Sequence, residues 1–116
     1  MTSDGIDYFY LETRNFGKAV RFWQQLGWEL VLDLGTSGRL EPPDGGPGVF
    51  IEEVSPETPL ASGLYLRTTD PSMEVREPVE PVGEPIETHW GTVMRTVRDP
   101  DGREFVLQHT PDNRPS

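Results

Sequence analysis

The strongest constraint on the fold is a repeat inside the chain. Tyr10-Leu11-Glu12-Thr13 returns as Tyr65-Leu66-Arg67-Thr68, an offset of 55 positions that Val20 and Val75 also keep. Pro43-Asp44-Gly45 returns as Pro100-Asp101-Gly102 at an offset of 57, and each turn is followed by a Phe and a β-branched residue, Phe50-Ile51 and Phe105-Val106. Two echoes in the same order at nearly the same spacing imply a duplicated supersecondary unit, and such repeats decide architecture.

Each copy reads as strand, helix, strand, strand, strand. Asp7 to Thr13 alternates as a strand, with Tyr8, Tyr10 and Glu12 on one face and Phe9, Leu11 and Thr13 on the other. Phe16, Ala19, Val20, Trp23 and Leu26 recur at helical spacing and predict a helix over about Asn15–Leu26, capped by Asn15 and stopped by Gly27. Strands follow over Trp28–Leu34, Arg39–Glu41 and Gly48–Val54, and 55–59 form a linker. The second copy begins with the strand around Tyr65. Pro78 and Pro81 break its helix, leaving about one turn over Ser72–Arg76. Its last three strands are predicted over Pro85–His89, Val93–Arg98 and Glu104–His109. The final two are joined through Asp99-Pro100-Asp101-Gly102, where Pro fixes φ and Gly accepts the reversal. A frayed tail is expected over 111–115. The expectation is one α+β domain over 1–116, with module one at about 6–54 and module two at about 60–110.

With 116 residues, 34% of them hydrophobic, the chain builds one modest core, so a homodimer is expected. A net charge of -10 and a pI near 4.5 argue against nucleic acid and anionic membrane; the acidity keeps the protein in solution, the favoured reading, or attracts a cationic small molecule. There is no cysteine, hence no disulfide, thiolate nucleophile or Cys-ligated metal. No apolar run reaches membrane-spanning length, and Met1-Thr2-Ser3-Asp4-Gly5 lacks the build of a signal peptide, so a cytoplasmic protein is expected.

The paired modules, the Phe22-Trp23 helix end before Leu26-Gly27-Trp28 and the closing Asp-Pro-Asp-Gly hairpin resemble the vicinal oxygen chelate superfamily: glyoxalase I, extradiol dioxygenases and bleomycin-resistance proteins. The resemblance implies two βαβββ modules in a curved mixed sheet, helices on the convex face and a ligand cup on the concave face. Phe9, Leu11, Phe105 and Leu107 would then lie under the helices, and Tyr8, Tyr10, Glu12, Glu104 and Val106 would face the cup. It also implies homodimers, and metal ligands at positions that here hold Tyr8, Gly63 and Val106. Glycine and valine have no donor side chain, so the usual metal and its chemistry are expected to be absent.

The candidate ligand-binding residues are therefore Tyr8, Tyr10, Glu12, Tyr65, His89, Trp90, Glu104 and Val106. Tyrosine walls stack flat rings and attract cations. Trp90 would stack on a ligand at the pocket mouth, and His89 would donate a hydrogen bond or act as a base near neutral pH. Glu104, beside Val106, would act as an acid or base, or be solvated or paired with Arg95 or Arg103. No Ser-His-Asp set or phosphate-cradling loop is visible, and no cofactor is expected. The leading expectation is a metal-free binding protein that sequesters an aromatic or cationic antibiotic or toxin. The rival is a glyoxalase- or dioxygenase-like enzyme (lyase, isomerase or oxygenase). It would use a metal held by Tyr8, His89 and Glu104, or His89 and Glu104 as acid and base. A third reading is a structural or regulatory module with its cup closed by its own side chains.

Overall fold

A computed structural model describes residues 3–111, so the tail expected over 111–115 lies almost wholly outside the described residues. The fold is α+β, with one helix and eight strands in mixed pairing among the described residues. In order these are β1 (Ser3–Thr13), α1 (Phe16–Gln25), β2 (Glu29–Asp33), β3 (Ser37–Glu41), β4 (Gly48–Glu53), β5 (Ser62–Thr68), β6 (Glu80–Glu87), β7 (Val93–Arg98) and β8 (Glu104–His109). Two compact units divide the chain, one over Asp7–Gly63 and the other over 3–6 with 64–111.

In the first unit the strand order is β2-β3-β4-β1, with β1 parallel to β4 and the other pairs antiparallel. Asn15 caps α1, its side-chain oxygen accepting from the Lys18 N–H at 3.0 Å, and Gly27 ends it at φ 92°, which costs glycine nothing. Phe16 and Val20 drop onto Leu40, Val49 and Ile51, with Leu11, Ala19 and Trp23 packed around them. Two expectations are corrected here. Leu26 has left the apolar stripe and is exposed because it is already the C-cap, and Phe9 is 47% exposed and outside the core although it shares the parity of Leu11.

In the second unit the order is β5-β8-β7-β6, with β5 parallel to β8 and the rest antiparallel. The hairpin forms as the sequence predicts. Gly102 reverses the chain at φ 89° and donates to the Asp99 carbonyl at 3.0 Å, and Asp99 Oδ1 accepts the Asp101 and Arg103 N–H groups at 2.9 Å each. Burial works upward on the Asp99 carboxyl, but those N–H groups and the Arg103 guanidinium outweigh it and hold it below the usual carboxylate range. The core is Met73, Val97 and Leu107, with Leu66, Val75, Val93 and Phe105 packed against it.

The second copy has lost its helix entirely, without even the single turn expected over Ser72–Arg76: 69–79 is turn and coil. β6 also starts earlier than predicted. It runs from Glu80 through Pro81, Gly83 and Pro85 because it is an edge strand, where proline need not donate to a ladder. Its register with β7 breaks between Val82 and Ile86.

Candidate functional site

The Cα register fixes which side chains share a face. In the first unit Tyr8, Tyr10 and Glu12 lie opposite Gly48, Phe50 and Glu52, on the face away from α1. In the second unit Tyr65 and Arg67 lie opposite Val106 and Gln108, which in turn lie opposite Thr96 and Met94, all away from the Met73 core. The pairing corrects one reading of the repeat. Phe50 sits beside Tyr10, whereas the residue beside Tyr65 is Val106, so the two phenylalanines that follow the turns lie on opposite faces. Phe50 is therefore a site-face residue that the sequence reading missed, and the parity of β4 against β1 was the signal.

On the first unit's face, rings and carboxylates meet. The Tyr8 and Phe50 ring centroids are 5.9 Å apart and tilted by 42°. Tyr8 is buried, and the Arg39 guanidinium lies over its ring at 5.2 Å, near Asp7 at 3.5 Å and Glu41 at 3.8 Å. Tyr8's cation–π seat is thus occupied from within. Tyr10 donates to Glu52 Oε2 at 2.6 Å and Glu12 Oε2 at 2.9 Å, one phenolic proton lying between two carboxylates. Glu12 is tied a second time, since its Oε1 also accepts the Ala61 N–H at 2.9 Å. Phe50, Tyr10 and the exposed Glu52 are what this face offers to a ligand.

Burial, then the hydrogen bonds to Glu52 and Glu12, then their negative charge, push the Tyr10 phenol far above its ordinary value of 10.0. A raised folded-state pKa means the folded protein holds the proton more tightly than the unfolded chain. The resulting stabilisation is fully present below pH 10.0 and is lost as pH rises beyond it. Tyr10→Phe is expected to cost about 1–2 kcal/mol at neutral pH, through loss of hydrogen bonds to charged groups. In an alkaline titration of phenolate absorbance, the variant should lack the latest-ionising tyrosine. An unchanged late phase would show that Tyr10 is not held in this way.

On the second unit's face the polar anchor is Gln108. It is buried, and its Oε1 accepts from Thr92 Oγ1 at 3.0 Å and from Trp90 Nε1 at 3.2 Å. Thr88 and Thr92 close the loop with a hydroxyl contact of 2.8 Å and the Thr92 N–H donating to Thr88 Oγ1 at 3.0 Å. Trp90 is therefore held at the edge of its ring while 47% of it stays exposed, and His89 meets it edge-on at 4.8 Å. The sequence signalled this loop but not Gln108, which sits where a strand alternation shows only a polar residue.

Glu104 lies at the other end of β8. It pairs with Arg98 at 2.8 Å, its cross-strand partner, and not with Arg95 or Arg103. Arg103 is turned to Asp99 at 2.9 Å, and Arg95 points to the core side. Four residues of strand, roughly 13 Å, separate Glu104 from Gln108, where the Trp90 loop attaches. His89 and Glu104 are thus not brought together as an acid–base pair. Among the described residues no three His, Cys, Asp or Glu side chains gather as a metal centre needs.

No family model matches the chain, and no curated protein does. Solved structures do. A protein described as an NAD-dependent benzaldehyde dehydrogenase from Legionella pneumophila aligns at TM-score 0.64 and 14% identity, over 90% of this chain and 98% of its own. A glyoxalase/bleomycin resistance protein/dioxygenase superfamily member from Vibrio splendidus aligns at TM-score 0.58 and 17% identity, over 88% and 96%. A glyoxalase I mutant from Zea mays aligns at TM-score 0.60 and 12% identity, over 95% of this chain but 45% of its own. The fold is that of the glyoxalase/bleomycin resistance/dioxygenase superfamily, the vicinal oxygen chelate architecture. At these identities the likeness is one of fold.

Proposed function

We propose that this chain is a metal-free binding protein, which holds a flat, cationic organic molecule against the ring-and-carboxylate face of its first unit. The observation that carries the reading is Phe50 flanked by Tyr10 and by the paired carboxylates of Glu12 and Glu52. Rings supply area and a negative π-face, and the carboxylates add a charge that a cation answers. Two positions where the superfamily resemblance expects chelating groups hold Gly63 and Val106, which supports binding without a metal. On the second unit taken by itself, Tyr65, Val106 and Trp90 offer apolar surface to a ligand. Sequestration is the action, with no bond broken. We place the protein in the cytoplasm as a homodimer of a single-domain chain. Support for the dimer comes from the small core and from the apolar run Val31, Leu32 and Leu34, exposed at and beside the edge strand β2. Among the described residues, no helix is long and apolar enough to cross a membrane.

Calorimetric titration with proflavine, a flat acridine cation, tests the reading. Saturable binding is expected, weakened about tenfold by Glu52→Gln and to a similar degree by Phe50→Ala. Absence of saturable binding for proflavine and related flat cations would overturn it. So would a stoichiometric transition metal in the purified protein.

A further inference from the structure

A half-open apolar hollow of the second unit is not on the face that carries Tyr65 and Val106. It lies on the opposite, core-side face, where the first unit has α1 and the second has only the 69–79 segment. Its volume is about 360 Å³. Leu66, Val97, Phe105 and Leu107 of the sheet form the floor, and Val75 and Val79 of the segment form a wall. That volume is at the lower end of the range for small-molecule sites, roughly 300–1,000 Å³.

The polar groups at its rim are already engaged. Ser3 Oγ donates to the Arg67 carbonyl at 3.0 Å, and Arg98 pairs with Glu104 at 2.8 Å and Glu80 at 3.4 Å. Asp99 is taken by Arg103 and by two backbone N–H groups. What the hollow offers a ligand is therefore mainly apolar surface, which suits an apolar molecule. Charge narrows the class further. Of the charged groups at the rim, Arg98 is paired with two carboxylates, Glu80 and Glu104, and Glu77 adjoins Pro78 in the chain, so negative charge predominates and a fatty acid is disfavoured against an uncharged ligand.

We propose that the hollow left by the missing helix is a binding site for a small, uncharged apolar molecule, separate from the aromatic face of the first unit. The 69–79 segment takes part of the place a helix would fill, packing Met73, with no exposed surface, onto Val97 and Leu107.

The test is a titration of the full chain with N-phenyl-1-naphthylamine, a neutral fluorophore that brightens in apolar surroundings, followed in parallel by methyl NMR. Saturable binding is expected, with shifts concentrated on the methyls of Leu66, Val75, Val79, Val97 and Leu107. Val79→Trp, which fills the wall side, should weaken binding at least tenfold, and dodecanoate should bind at least tenfold more weakly than the neutral probe. Lack of saturation, shifts centred on Val49 and Ile51, or unaltered affinity in a folded Val79→Trp protein would overturn the site. Equal affinity for dodecanoate would overturn the assignment of an uncharged ligand. Should Val79→Trp fail to fold, the methyl shifts of the unaltered protein decide alone. Proflavine binding is read on Glu52 and Phe50, so failure of either site leaves the other standing.

Discussion

Truncating Ile51 to alanine is expected to lower the unfolding free energy by about 3–4 kcal/mol, whereas Leu107→Ala should cost about 2 kcal/mol. The two positions are equivalent in the repeat: Ile51 lies opposite Leu11 in one parallel pair, and Leu107 opposite Leu66 in the other. Their surroundings differ. Ile51, 1% exposed, is enclosed by Phe16 and Val20 of α1 together with Leu40 and Val49, so its truncation removes both buried methyl groups and the contacts around them. Leu107 already borders the 360 Å³ hollow on one side. Fewer contacts exist there to be lost, and truncation enlarges a space that is already unfilled. Urea denaturation of the two variants, each checked for native circular dichroism, measures the difference. Equal losses would mean that the hollow is filled in solution. A larger loss at Leu107 would mean that the second unit is packed more tightly than its side chains show here.

Much of this arrangement was legible in the sequence, because it depends on period and turn chemistry. The stripe Phe16-Ala19-Val20-Trp23 could bury one side only as a helix. Asp99-Pro100-Asp101-Gly102 could hardly be other than a turn. Alternation put Tyr8, Tyr10 and Glu12 on one face. What stayed hidden depends on register between strands distant in sequence. The matched Phe50 and Phe105 look equivalent when counted from their turns, yet β4 and β8 meet their parallel partners one position apart, and one residue reverses a face. Glu104 has three arginines close by in the sequence, and only the β7–β8 pairing selects Arg98. β6 was half hidden because Pro81, Gly83 and Pro85 read as breakers, a rule that edge strands escape. For the candidate site, residue types on the first strand were readable. The partners that define its chemistry, Phe50, Glu52, Arg39 and Gln108, come from other strands.

Loss of a helix also raises the question of what holds 69–79 in place, and the answer predicts a second large effect. Met73 has φ 58°, a region that costs a residue with a side chain of order 1–3 kcal/mol. Two interactions offset this. Its side chain has no exposed surface and packs on Val97 and Leu107, and its carbonyl accepts from Arg95 Nη1 at 2.8 Å. Arg95 sits between Val93 and Val97 in β7 on the core side, an unusual place for a guanidinium. Its Nη2 reaches the Gly83 carbonyl at 3.3 Å, and its Nε is buried with no hydrogen-bond partner among the described residues. A half-buried arginine with its Nε held in this way, tying the segment to β6, does in the second unit what helical hydrogen bonds do in the first. Arg95→Ala should therefore cost about 2–4 kcal/mol, since it strands a carbonyl and removes the side-chain stem together. Arg95→Lys, which can reach one carbonyl but not both, should recover roughly half of that. Hydrogen exchange distinguishes this from a general loss of stability: amides of 72–75 and of β6 should speed up well beyond those of α1. A loss under about 0.5 kcal/mol in Arg95→Ala, or exchange that rises evenly over both units, would show that Met73 keeps its backbone conformation without the guanidinium.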